Sequence, residues 1–186
     1  MAAPYWLEEE WPRFAQRRLD GRPEVAVIGG GVTGCSCALT LAAAGRRVRV
    51  YEARELASGA SGRNGGFGLR GGATTYDLAR TQLGRERARA YWQLTERYVD
   101  RLEELAGDAF RRVGSLRLAA DPAERDELRA EYDALVEDGF AAEWQEELDG
   151  PLRGRFHGAV LHPPDGSLIP GRWACRLAGL AAEAGA

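Results

Sequence analysis

The chain has 186 residues, 45% of them hydrophobic and 28% charged, with a net charge of −3, a balance that excludes disordered and collagen-like classes. Its 25 positive side chains are all arginine and form no basic stripe, which argues against a nucleic-acid partner. Without a single lysine, the chain can encode neither a Walker-type phosphate loop nor a Schiff-base site.

Residues 1–23 are polar and aromatic (Tyr5, Trp6, Trp11, Pro12, Phe14) and close at Pro23, so they are expected to be an extension lying over a folded body. Glu8, Glu9 and Glu10 and the lack of a long apolar run predict neither a signal peptide nor a membrane span. Val25 to Ile28 is a short apolar run ending in three glycines, which predicts a central parallel strand meeting a tight turn. A helix is expected from Val32 to Ala44, stopped by Gly45, and a second strand from Val48 to Tyr51 leads to Glu52.

Residues 53–74 carry seven spaced glycines and read as a long loop of the kind that is usually functional. From Tyr76 to Leu105 apolar residues recur at helical spacing (Tyr91, Leu94, Tyr98, Leu102, Leu105), as one long helix or as two separated at Gly84. Phe110 to Ala119 reads as strand around a Gly114-Ser115 turn. Asp121-Pro122-Ala123-Glu124 is a helix start, and that helix runs through Leu128, Tyr132, Leu135 and Val136 to Gly139. A strand at Ala159 to Leu161, a Pro164-Asp165-Gly166 turn, and a helix from Gly171 to Ala184 with Trp173, Leu177 and Leu180 on one face complete the chain.

Cys35, Cys37 and Cys175 lack disulfide or zinc-ligand spacing, which suits a reducing, cytoplasmic setting. Cys35 and Cys37 fall on different faces of a helix and are expected to pack rather than to bind metal. His157 and His162 have no recognisable catalytic partner and are read as structural. Arg70 and Arg80 are weak candidates for a substrate carboxylate among so many arginines. No catalytic residue and no metal site is assigned.

Gly29-Gly30-Gly31-Val32-Thr33-Gly34 fits G-x-G-x-x-G after an apolar strand and at the opening of a helix, with Glu52 ending the next strand. Gly29 permits the turn, Gly31 leaves room for a pyrophosphate, and Gly34 lets helix and sheet approach. The helix N-terminus attracts the pyrophosphate, and the Glu52 carboxylate suits ribose hydroxyls while opposing a 2′-phosphate, which favours FAD or NAD over NADP.

Glu52-Ala53-Arg54 followed by Gly59-Ala60-Ser61-Gly62-Arg63-Asn64-Gly65-Gly66 resembles the FAD-dependent amino-acid and amine oxidoreductases of the D-amino-acid oxidase superfamily, most of all gamma-glutamylputrescine oxidase-like members. The Tyr5-Trp6 extension and Pro164-Asp165-Gly166 with Pro170 occur in the same order there. The resemblance implies an α/β fold: a Rossmann-like FAD-binding βαβ unit with the beginning of an α+β substrate domain, incomplete. It divides the chain into an extension (1–23), the FAD unit with loop and long helix (24–106), part of a substrate domain (107–165) and a return helix (166–186).

It further implies noncovalent FAD, since Arg63 stands where relatives tether flavin through a histidine. The implied cofactor residues are Gly29, Gly31, Val32, Thr33, Gly34, Glu52, Ala53, Arg54, Ala60, Ser61, Arg63, Asn64, Gly65 and Gly66. The implied reaction passes a hydride from an amine or amino acid to flavin, with a small-molecule substrate, no nucleic acid, and a second polypeptide as one source of the missing half. The alternatives are a non-catalytic dinucleotide-binding fragment, one chain of a two-chain flavoenzyme, and, against the loop, an NAD-dependent dehydrogenase.

Overall fold

A computed structural model describes Tyr5 and residues 21–186; the rest of the expected extension lies outside the described residues. The elements in chain order are β1 (Val25–Ile28), α1 (Val32–Ala43), β2 (Val48–Tyr51), β3 (Phe67–Gly68), α2 (Tyr76–Leu83), α3 (Arg85–Ala106), β4 (Phe110–Arg111), β5 (Ser115–Leu118), α4 (Pro122–Glu137), β6 (Glu143–Gln145), β7 (Ala159–His162), β8 (Gly166–Leu168) and α5 (Pro170–Glu183). They belong to two compact units, one of Met1–Gly66, Leu105–Phe110 and Leu168–Ala186, the other of Phe67–Glu104 and Arg111–Ser167. This division groups α2 and most of α3 with the second unit, where the sequence boundary was drawn after the long helix.

In the first unit β1 and β2 pair in parallel, with Val25 opposite Val48 and Ile28 opposite Tyr51. One sheet face turns its valines inward: Val48 is buried and Val25, Val27 and Val50 are partly buried against Ala38 and Ala42 of α1 and Ala181 of α5. Small residues on both helices permit this close approach, and the buried Val48 contributes about 1.5–3 kcal/mol. α1 stops at Gly45, whose φ of +77° lets its N–H reach Ala42 O at 2.8 Å while Arg46 N–H reaches Leu41 O at 3.0 Å. On the other sheet face Ile28 is 81% and Tyr51 46% exposed. Among the described residues β1 pairs with β2. Cys35 is buried in α1, but Cys37 is exposed and packs nothing into the core.

In the second unit β5, β7 and β6 form an antiparallel sheet in the order β5-β7-β6, with Leu116 opposite Leu161 and Trp144 opposite Val160. β6 lies in a stretch that sequence patterning left unassigned. A short antiparallel pairing joins β3 to β8, with Phe67 opposite Ser167. α4 starts as its sequence signals require: Asp121 accepts the Glu124 N–H at 2.9 Å, Pro122 follows, and Glu124 accepts the Ala120 N–H at 2.7 Å.

The helical segment breaks at Gly84, where φ is +80°. Its most buried residues lie beside the expected stripe, of which Leu94, Leu102 and Leu105 are half-buried. Ala88, Trp92 and Val99 of α3 enter the interior, whereas Tyr91 and Tyr98 of the predicted stripe are 41% and 62% exposed. Trp92 wins because it joins an aromatic core in which the Tyr76 ring lies 4.9 Å from Trp92 and 5.1 Å from Phe140. In α4, Leu128 and Leu135 are buried and Val136 is exposed.

Candidate functional site

The site is built where the two parallel strands end. The Gly29 N–H donates to Tyr51 O at 2.8 Å, continuing the β1–β2 pairing by one residue, and Gly29 then turns the chain with φ of +104°. Gly31 is the N-cap of α1, and the first intrahelical bond runs from the Cys35 N–H to Gly31 O at 2.9 Å. The N–H groups of Val32, Thr33 and Gly34 therefore have no intrahelical acceptor and open toward the turn.

Three glycines of the turn answer to a neighbour. A Cβ on Gly34 would stand 2.0 Å from Gly29 O, one on Gly30 2.4 Å from a Leu56 methyl, and one on Gly31 2.7 Å from Ser61 Oγ. Glu52 reaches back over this turn: its Oε2 accepts the Gly30 N–H at 2.7 Å and its Oε1 accepts the Arg54 N–H at 2.9 Å. These two backbone bonds, the Gly30 one foremost, hold the Glu52 carboxyl below the usual carboxylate range. A carboxylate has about four acceptor positions, so these bonds leave acceptor capacity for hydroxyl donors.

The glycine-rich loop comes onto the helix end from the other side. Ser61, in a single 3-10 turn at Ala60–Gly62, accepts the Val32 N–H on its hydroxyl at 3.0 Å. Arg63 Nε donates to Ser58 O at 2.7 Å, and Asn64 donates to Ser61 O at 3.0 Å while its Oδ1 accepts the Gly66 N–H at 3.0 Å. Arg63 and Asn64, two of the polar loop side chains that the resemblance assigns to the cofactor, thus brace the loop itself. Gly66, at φ of +72°, has a backbone job: its O accepts the Leu168 N–H at 2.7 Å, and a Cβ there would meet Leu168 O at 2.3 Å. Ala53, Arg54, Ala60 and Gly65 lie exposed along the loop and Thr33 lies exposed at the helix start.

Three participants were not assigned from sequence. Gly30 supplies the N–H that Glu52 holds, and as the first variable position of G-x-G-x-x-G it carried no signal beyond being glycine. Leu56 covers it, and Ala57, buried with Ala174 and Cys175, is the non-glycine residue at positive φ (+62°) among the described residues. Nothing in sequence spacing marks such a contact.

The remaining candidates sit elsewhere. Arg70 is buried, with its guanidinium on Glu96 Oε1 at 2.7 Å and on Ala141 O, which removes it from substrate. Arg80 pairs with Glu137 at 2.7 Å. His157 is exposed, and its carbonyl accepts a hydrogen bond from Arg125. His162 is buried at the end of β7. Among the described residues no cluster of His, Cys, Asp and Glu could hold a metal, and no helix is long and apolar enough to cross a membrane.

Comparison with known proteins agrees with this geometry. The family model described as FAD dependent oxidoreductase matches residues 24–186. The chain is 46% identical over 66 residues to gamma-glutamylputrescine oxidoreductase of Escherichia coli, a match covering 36% of this chain and 16% of that protein. It is 50% identical over 54 residues to glycerol-3-phosphate dehydrogenase of Mycobacterium leprae, covering 29% of this chain and 8% of that one. Its fold superposes on glycine oxidase from Geobacillus kaustophilus with a TM-score of 0.68 at 29% identity, covering 88% of this chain and 45% of the glycine oxidase chain. The chain therefore spans less than half the length of the proteins it resembles.

Proposed function

Because the chain belongs to the family of FAD dependent oxidoreductases, we propose that its first unit holds the ADP part of a noncovalent FAD, within an enzyme that oxidises the C–N bond of an amine or amino acid. The observation that carries the assignment is the Glu52 carboxylate held at 2.7 Å from the Gly30 N–H, at the ends of both strands and beside the start of α1. The residues fit the group. Gly31 leaves the helix N-terminus open to a pyrophosphate, whose charge the helix dipole and the N–H groups of Thr33 and Gly34 favour.

Glu52 retains acceptor capacity for the two ribose hydroxyls, Ser61 presents a hydroxyl at the same helix end, and Arg63 and Asn64 hold the loop in shape. Ala53, Arg54, Ala60, Gly65 and Gly66 contribute through backbone position. Bound flavin supplies the hydride-accepting ring; this chain's residues anchor the other end of the cofactor and orient it. In this reading the first unit serves the cofactor and the second serves the substrate. The flavin-ring end of the site comes from protein beyond residues 24–186, in the same or a second polypeptide. The exposed Ile28 and the 45% coverage of glycine oxidase support that view. We place the protein in the cytoplasm, on its free cysteines.

The substrate class rests on the gamma-glutamylputrescine oxidoreductase and glycine oxidase likenesses; the glycerol-3-phosphate dehydrogenase match covers a shorter stretch. Titrating the purified chain with FAD and with NAD decides the cofactor. Saturable quenching of FAD fluorescence, with no competition by NAD, is expected. Binding of NAD in place of FAD would overturn the assignment.

A further inference from the structure

Residues 70 and 71 of the second unit are fastened by groups from several other stretches of chain. The Arg70 N–H donates to Asp165 Oδ1 at 2.9 Å, and the Gly71 N–H donates to Thr95 Oγ1 at 2.8 Å. Asp165 is itself held, accepting the Ser115 hydroxyl at 2.6 Å. The Arg70 guanidinium, with 2% of its side chain exposed, donates to Glu96 and to Ala141 O and lies 3.2 Å from His162 Nδ1. A guanidinium has donors only. His162 Nδ1 is therefore the acceptor, and the imidazole proton resides on Nε2. His162 is 6% exposed, and its Nε2 and Arg70 Nε are both buried with no partner.

A proton added at Nδ1 would convert the acceptor into a donor and set a second cation against Arg70. We propose that His162 and Arg70 form an acid-sensitive clasp, in which protonation of His162 from solvent expels the Arg70 guanidinium and releases residues 70–71 from β7 and α3. The charged groups facing His162 are Arg70 and Arg117, which oppose its protonation, and Asp165, which favours it. Glu96 faces Arg70 from α3, and Glu131 on α4 feels the Arg70 charge.

Burial first, and then the Arg70 charge, pushes the His162 pKa from 6.5 down to about 4 while the clasp is closed. An open clasp frees the ring to titrate near 6.5. Opening that removes the Arg70 charge and admits water to the ring therefore becomes more favourable as pH falls between those values, by at most about tenfold per pH unit, and levels off below.

The test is amide hydrogen exchange at Arg70 and Gly71 in the full chain, corrected for intrinsic exchange, across this pH range in wild type and His162→Gln. Glutamine retains an acceptor and does not titrate. The opening constant should rise in wild type and stay flat in the variant. A flat wild-type profile, or an equal rise in His162→Gln, overturns the clasp. Should that variant not fold, the imidazole nitrogen resonances of wild type decide. Opening that tracks ring protonation supports the clasp, and opening that follows another midpoint overturns it.

Discussion

The Glu52 carboxylate holds the Gly30 N–H at 2.7 Å, so the side chain at the end of β2 reads the backbone of the turn at the end of β1. Two residues 22 positions apart in sequence thereby form one edge of the proposed adenosine site. Replacing Glu52 by Gln keeps one oxygen acceptor and removes the charge. FAD affinity should fall about tenfold, the equivalent of about 1.4 kcal/mol, measured by fluorescence titration. Since Glu52 is held below the ordinary carboxylate range, its contribution should persist at mildly acidic pH and vanish only as pH falls through that lowered value. Unchanged affinity in Glu52→Gln would remove this carboxylate from the ribose.

The glycines should differ in their tolerance of alanine. In Gly34→Ala the new methyl meets the Gly29 carbonyl at 2.0 Å, a backbone atom that cannot step aside, and a loss of about 3 kcal/mol is expected. In Gly31→Ala it meets the Ser61 hydroxyl at 2.7 Å, which a side-chain rotation relieves at a cost of about 1 kcal/mol. Urea denaturation ranks the two. Equal losses would show that the turn relaxes as a whole.

Ser61→Ala removes the acceptor of the Val32 N–H at the first turn of α1. Stability should fall by about 1 kcal/mol, as for a lost helix cap. Ser61→Thr should recover most of it, and Gly31→Ala combined with Ser61→Ala should cost less than the sum because the clash partner is gone. Thermal melts of the four variants give this cycle, and strict additivity would separate the two residues.

Tyr76 is fully buried, and its hydroxyl donates to Asp138 Oδ2 at 2.6 Å. Burial opposes ionisation of Asp138, but the hydrogen bonds from Tyr76 and Arg85 outweigh it and hold the carboxyl below its ordinary value of 3.8. Tyr76→Phe should cost about 1–2 kcal/mol at neutral pH. A depressed carboxylate pKa stabilises above its unfolded value, so wild type and Tyr76→Phe should converge as pH falls below about 4. A pH-independent difference in urea midpoint would assign the loss to packing instead.

Glu131 shows the opposite sign. Burial raises its pKa above 4.5 in spite of the ion pair with Arg117. A raised carboxyl pKa disfavours the folded state as pH climbs through it. Glu131→Gln keeps an acceptor for the Tyr76 N–H, so its stability relative to wild type should improve from pH 4 to pH 7. A declining difference over that range would show that Arg117 dominates.

Much of this was legible because the signals were local. The strand ends, the caps at Asp121 and Gly139, the break at Gly84 and the G-x-G-x-x-G turn depend on residues a few positions apart, where φ preference and N-cap chemistry act directly. α3 was legible only in part for the converse reason. Its two faces are both apolar, and the choice between the Trp92 face and the Tyr91–Tyr98 face is made by Tyr76 and Phe140, which no spacing within α3 reveals.

Sequence by itself determined that a parallel βαβ turn ends in Glu52 and is followed by a glycine-rich loop, since glycine spacing and one carboxylate carry that information. Tertiary structure decided what each loop residue does. Ser61 meets the helix end, whereas Arg63 and Asn64 turn back on their own loop, because a side chain goes to whichever backbone group the fold leaves within about 3 Å. The Glu52–Gly30 bond belongs to both: the residue types were written in the chain, and the parallel register of β1 and β2 brought them together.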